Sequence, residues 1–247
     1  MLVFTVGLAA FAVTFVFSMM GAGGSQILVP LLFWLGLDFK TGAIPLALLA
    51  SAITLFSAGA HYYRRDLVEM RAAKPFAIAV LLGSPFGALL ARPTSSTTLM
   101  IVFALLNIGV GLLVLRGRSM TEGDMSKRRE LAICLLVGFG VGFMIGFVAR
   151  DGGPFTMAIL VLMGCEAKKA AGTAPVIVAA GCLVAFIIHA FDMTVGWALI
   201  LSVAVASLIG SQIGARFMSA RLESQTIRRL FAAVMFAVGV VILIQAL

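Results

Sequence analysis

Two short stretches of this sequence combine residue types that can hold an anion. Residues 21–24 read Gly-Ala-Gly-Gly and lead into Ser25 and Gln26, while residues 150–154 read Arg-Asp-Gly-Gly-Pro. Each is followed by a short apolar run, 26–36 and 154–164. A helix that starts after such a break presents free N–H groups and a partial positive charge at its first turn. Glycines let an oxyanion approach those groups closely. Serine is a good cap, and proline suits a first helical position. The candidate substrate-binding residues are therefore Gly23, Gly24, Ser25 and Gln26 in the first stretch. In the second they are Arg150, Asp151, Gly152, Gly153 and Pro154. Thr173, beside Pro175, is a further candidate for the wall of a polar cavity, with Ser51 and Thr54 behind it.

Arg150 is the sharpest of these. A guanidinium presents a planar fork suited to multidentate recognition of an oxyanion. An ionisable group inside a membrane segment is a functional hypothesis by default. Two plainer readings stand beside it: Arg150 pairs structurally with Asp151, or it snorkels to a membrane face. The glycines also have a plainer reading, as hinges of tight hairpins between packed helices. Thr173, Ser51 and Thr54 can instead bond back to their own helix. His61 and His189 lie at membrane edges and do not match each other. No nucleophile-base-orienter set and no metal spacing such as H-E-x-x-H occurs, and Gly-Ala-Gly-Gly lacks the spacing of a dinucleotide fingerprint. The expectation is no catalytic residue, no metal and no cofactor.

The elements that position these residues follow from composition. The 247 residues are 62% hydrophobic and 11% charged, with mean hydropathy +1.15. A soluble domain carries about twice that share of charge. The solvent is lipid, and the long apolar runs lack the period-two alternation of barrel strands. The expected class is an all-α polytopic membrane protein. The net charge of +8 falls in loops between apolar spans, which points to topology and lipid headgroups and away from nucleic acid. Residues 2–20 have no preceding basic residue and read as a retained helix. Cys134, Cys165 and Cys182 read as small apolar residues.

Apolar segments fall at about 2–20, 26–36, 42–60, 75–91, 97–115, 131–149, 154–164, 170–190, 195–215 and 230–246. The halves repeat. LLGSPFGALLA at 81–91 matches LIGSQIGARFM at 208–218, and FALLNIGVGLL at 103–113 matches FAAVMFAVGVV at 231–241. Gly23-Gly24 matches Gly152-Gly153, and Pro45 matches Pro175. Four matches in one order imply a duplicated unit. The expected units are 1–116, a linker at 117–130, and 131–247, each with a glycine-broken helix hairpin followed by three transmembrane helices. Small-xxx-small pairs, Gly83/Gly87 and Gly210/Gly214, let helix backbones approach.

Fifteen of the 18 basic residues lie in four loops, near 61–74, 116–130, 165–169 and 216–229. Placing all four inside requires an odd number of crossings per repeat. The repeats are then inverted, the linker cytoplasmic and both termini periplasmic, in a bacterial inner membrane. That plan is common among secondary transporters. The remaining basic residues are Lys40, Arg92 and Arg150.

The stretches GAGGSQILVPLLFWLG and GFGVGFMIGFVARDGGPFTMAILVLMG, the latter followed by AAGTAP, resemble the TauE/SafE sulfite exporter family. The HYYRRDLVEMR loop and GSPFGALLA add to the likeness, which covers nearly the whole chain. Ser25 and Pro154 stand where the family pattern has a third glycine, and Ile44-Pro45 and Thr173-Ala174 replace its Thr-Ser patch. The resemblance implies a secondary transporter of sulfite, a small organosulfonate or a similar small anion, with its site near the glycine clusters. Coupling to a proton or to sodium is open on these residues, with Asp38, Glu166 and Asp192 as carboxylates at turns. From another class, an intramembrane enzyme or a membrane assembly factor is the alternative.

Overall fold

A computed structural model describes residues 2–95, 97–99, 101–102 and 127–221. The described residues are helical, without strands. In chain order they form α1 (Leu2–Met19), α2 (Ser25–Trp34), a π-helical turn (Phe39–Ala43), α3 (Ile44–Tyr63) and α4 (Met70–Ala91). After the undescribed region come α5 (Lys127–Val148), α6 (Gly153–Leu162), α7 (Ala167–Ala190) and α8 (Trp197–Arg221). Six of the helices, α1, α3 with its π turn, α4, α5, α7 and α8, are long and apolar enough to cross a membrane. The two that are not, α2 and α6, have 10 residues each and follow the breaks. The segments expected at 97–115 and 230–246, and most of the linker at 117–130, lie largely or wholly outside the described residues.

Both short helices stop in the same way. Gly36 and Gly164 take the left-handed conformation, each at φ 91°. Leu37 N donates to Leu32 O at 3.2 Å, and Cys165 N donates to Leu160 O at 2.9 Å. These six-residue closures satisfy carbonyls that a helix end leaves open. The chain then turns through Asp38 or Glu166, which have nearly identical backbone angles before the next helix. An interval of 128 residues separates Gly36 from Gly164, Gly24 from Gly152, and left-handed Gly21 from left-handed Ala149. The turns therefore align one residue away from the expected match: Gly24 corresponds to Gly152, which puts Gly23 opposite Asp151 and Ser25 opposite Gly153.

Glycine contacts bring the long helices together. A Cβ on Gly83 or Gly87 would collide with the carbonyl oxygens of Phe139 and Phe143 on α5. Gly138, Gly142 and Gly146 press in turn on α4, at Phe76, Val80 and Ser84, so α4 and α5 run parallel. On the opposite pair, Gly210 and Gly214 of α8 meet the carbonyls of Phe11 and Phe15 of α1, again in parallel. The outer faces carry Phe4, Leu8, Phe86, Leu136 and Leu201, all exposed. Large apolar side chains facing outward suit a lipid solvent.

The two ends of the bundle differ. At one end Glu69 N donates to Thr173 Oγ1 at 2.9 Å, and His61 hydrogen-bonds Ser219 at 3.0 Å. At the other, Lys40 Nζ donates to the carbonyls of Arg92 and Thr94, and Thr194 N donates to Thr41 O at 3.1 Å. There Arg92 grips Asp192 through two nitrogens, at 3.0 and 3.2 Å. The Arg92 hydrogen bond holds the Asp192 carboxyl below the ordinary carboxylate range. Any stability from this exposed pair is therefore present at neutral pH and lost as pH falls through that lowered value.

Backbone contact at glycine carries a specific cost. Gly87→Ala is expected to destabilise the protein by about 1–3 kcal/mol or more, read as a lower melting temperature in detergent. Gly140 on α5 has no atom within 4 Å of an added Cβ, so Gly140→Ala serves as the control and is expected to melt within about 0.5 kcal/mol of wild type.

Candidate functional site

The two breaks meet each other inside the bundle. An added Cβ on Gly153 would lie 2.7 Å from Gly21 O and 2.8 Å from Ala22 Cα, so backbone packs on backbone. Gly24 and Gly152 are the residues before α2 and α6, and both have positive φ, 91° and 68°. That conformation favours glycine. Gly23 sits against Ser51 of α3, with room for no side chain. Pro154 follows at the start of α6, where its missing N–H costs nothing.

One carboxylate spans the junction. Asp151 Oδ2 accepts from Gly24 N at 2.7 Å, from Ser25 N at 3.1 Å and from Ser25 Oγ at 3.2 Å. Its Oδ1 accepts from Gly153 N at 3.0 Å. Asp151 N donates to Ser25 Oγ at 2.8 Å. A side chain of the second half thus caps the short helix of the first half, and its other oxygen caps its own. The anion expected at these helix ends is, in this structure, part of the chain.

Arg150 stands apart from that arrangement. It is fully buried, so it neither snorkels nor reaches a membrane face. None of Nε, Nη1 and Nη2 has a hydrogen-bond partner, so it does not pair with its neighbour Asp151 as the structural reading expected. Its guanidinium carbon lies 4.6 Å from the centre of the Phe155 ring, a cation–π contact. Such a contact supplies about 2 kcal/mol when desolvated, well short of what burying an unpaired cation costs.

Other buried polar atoms lack partners nearby in the chain. Gln26, on the first turn of α2, has both amide atoms unsatisfied. The hydroxyls of Thr156 on the first turn of α6, and of Ser51 and Thr54 on α3, are unsatisfied too. Thr156 did not stand out in the sequence; its position one turn after the second break was the available signal. Thr173, by contrast, is committed. Its hydroxyl donates to Lys169 O at 2.7 Å and accepts from Glu69 N. Two further residues went unmatched in the sequence. Tyr62 Oη donates to Ser18 O at 2.7 Å, and His189 Nε2 contacts Gly146 O at 2.9 Å. They hold corresponding ends of α1 and α5, since Ser18 and Gly146 are again 128 residues apart. Cys182 lies against the Asp151 carbonyl, with Sγ at 3.8 Å.

A family model described as sulfite exporter TauE/SafE matches residues 6–242. The chain belongs to the TauE/SafE family. That membership makes it a multi-pass membrane transporter rather than an enzyme. A protein of Xylella fastidiosa described as a probable membrane transporter protein is 24% identical over 238 residues, covering 94% of this chain and 91% of its own length. A Haemophilus influenzae protein with the same description is 27% identical over 213 residues, covering 83% and 82%. No solved structure matches this TauE/SafE chain.

The hydrogen bonds separate the two charged neighbours by experiment. Asp151→Ala strands buried amides, each costing about 1–3 kcal/mol, and is expected to give low yield and a clearly lower melting temperature. Arg150→Met breaks no hydrogen bond and is expected to melt within about 1 kcal/mol of wild type, or higher.

Proposed function

We propose that this TauE/SafE chain is a secondary transporter that exports sulfite or a small organosulfonate across the bacterial inner membrane. The observation that carries the reading is a fully buried guanidinium with no hydrogen-bond partner on any nitrogen. Burying a guanidinium without hydrogen bonds is costly even beside a counter-charge, and a bound oxyanion would supply the missing acceptors. A sulfite or sulfonate head presents two oxygens side by side, which suits the bidentate guanidinium fork. In this reading Arg150 holds the charged head. Gln26 and Thr156, with Ser51 and Thr54, supply the neutral hydrogen bonds around it. The glycines of both breaks keep side chains out of the way.

The same reading gives the chain two repeats of inverted topology. Supporting it are the matched left-handed turns, the parallel pairs α1/α8 and α4/α5, and the equivalent glycine contacts in each pair. The basic loops lie on the cytoplasmic side and both termini are periplasmic, as the positive-inside rule requires. Arg150 then sits where the two repeats meet, the usual position for a substrate in such a plan.

Two experiments test this. Arg150→Ala is expected to lose sulfite flux in proteoliposomes while keeping normal expression and insertion; one charge-assisted contact is worth about 1.5–3 kcal/mol, roughly ten- to hundredfold in affinity. Arg150→Lys retains charge without the fork and is expected to recover partial flux at best. Wild-type flux in Arg150→Ala would remove Arg150 from the site. For topology, a cysteine replacing Ser126 in the linker should resist an impermeant thiol reagent applied to intact cells; modification from outside would reject the inverted arrangement.

A further inference from the structure

Asp151 brings the site a fixed negative charge that the transport step does not need for contact. Arg150 and Asp151 are the fully buried formal charges among the described residues. Four donors hold the Asp151 carboxylate to the ends of α2 and α6, which keeps it from swinging onto the guanidinium. The formal charges of the empty site therefore cancel. What remains is the partial positive charge of two helix N-termini, about half a unit each. Asp151 takes up Gly24 N, Ser25 N and Gly153 N, and does not reach Gln26 N or Phe155 N in the same first turns. A bound monoanion brings this buried set close to neutral. A dianion leaves about one uncompensated negative charge away from water, beside a carboxylate that cannot move off.

We propose that Asp151 is a resident counter-anion that sets the charge of the transported species, so that the site accepts monoanions and rejects dianions. This rests on the anion-transport reading and narrows it. The accepted class is hydrogensulfite and singly charged sulfonates. Sulfite in its fully ionised form, sulfate and thiosulfate fall outside. Within that class the unpartnered Gln26 side chain suits hydrogensulfite in particular, because its carbonyl oxygen needs a donor, and hydrogensulfite carries one where an alkylsulfonate and sulfate at neutral pH do not.

The test is direct binding to the purified full-length protein by calorimetry, with methanesulfonate as the monoanion and sulfate as the dianion of related head-group shape. Wild type is expected to bind methanesulfonate at least about tenfold more tightly than sulfate. Asp151→Asn keeps an oxygen acceptor for the α2 amides and removes the charge. It is expected to bring the two affinities to within about threefold of each other, chiefly by improving sulfate. A purely structural role for Asp151 would weaken both ligands together and leave their ratio unchanged, which overturns the proposal. Equal binding of the two anions by wild type also overturns it while leaving the anion reading standing. If neither anion binds to wild type, and sulfite does not bind either, the anion reading itself fails and this inference with it. A wild-type measurement covers the case in which Asp151→Asn does not fold. Sulfite passes from monoanion to dianion as pH rises through neutrality, so its apparent affinity should fall across that range. Methanesulfonate keeps its charge and reports any change in the protein itself, such as at His189. A sulfite profile that stays level with that of methanesulfonate overturns the proposal.

Discussion

A helix that ends inside a membrane exposes amide groups that lipid cannot satisfy, and here two helices do so at one point. The Asp151 carboxylate resolves both ends together. Its two oxygens take amides from α2 and α6, and its own N–H is taken by Ser25. The interaction crosses between the halves of the chain: the second half caps α2 of the first, and Ser25 of the first takes the Asp151 N–H. Everything polar at the centre follows from this grip. With Asp151 committed to backbone, Arg150 has no acceptor within the protein, and the site is left with a cation awaiting a ligand.

The grip needs close backbones. Gly153 touches Gly21 and Ala22, and Gly23 lies against Ser51. A Cβ on Gly153 would lie 2.7 Å from Gly21 O and one on Gly23 2.5 Å from Ser51 Cβ, so something would have to shift. Closeness is enforced from outside by the glycine contacts of α4 with α5 and of α1 with α8, which set the long helices from which the breaks hang. Van der Waals contact between backbones does this work in lipid, where burying apolar side chains brings little gain. Ala149 shows the demand of the geometry: it holds φ 55°, where its counterpart Gly21 holds 70° with no side chain to oppose it.

The ends of the bundle are joined by lighter contacts. Arg92 and Asp192 pair in the open, with Lys40 capping carbonyls of the next turn. Exposed pairs of this kind contribute little to stability, because water screens them. At the centre, by contrast, buried backbone and serine donors hold both oxygens of Asp151. A transporter must part contacts at one face to admit or release a substrate, and the weak contacts lie at the faces.

Much of this protein was legible from residue types and spacing. Apolar run lengths separated long spans, six of them among the described residues, from the two short helices, because the thickness of a bilayer sets that length. Gly83, Gly87, Gly210 and Gly214 marked the closest helix contacts, since small residues at that spacing share one helix face. The breaks and the buried arginine stood out because glycine clusters and charges are rare in apolar sequence. Spacing misaligned the two breaks by one residue, since two adjacent glycines in each half match equally well by eye, whereas only Gly24 and Gly152 share the left-handed cap. It also left a structural pair between Arg150 and Asp151 open, because they are neighbours. Adjacent residues on a turn point in different directions, and only the folded chain brings the amides of residues 24 and 25 to a carboxylate 127 and 126 positions away. Sequence determines which residues are unusual for their solvent; which groups they satisfy, and which charge is left unpaired, depends on long-range packing that no local pattern contains.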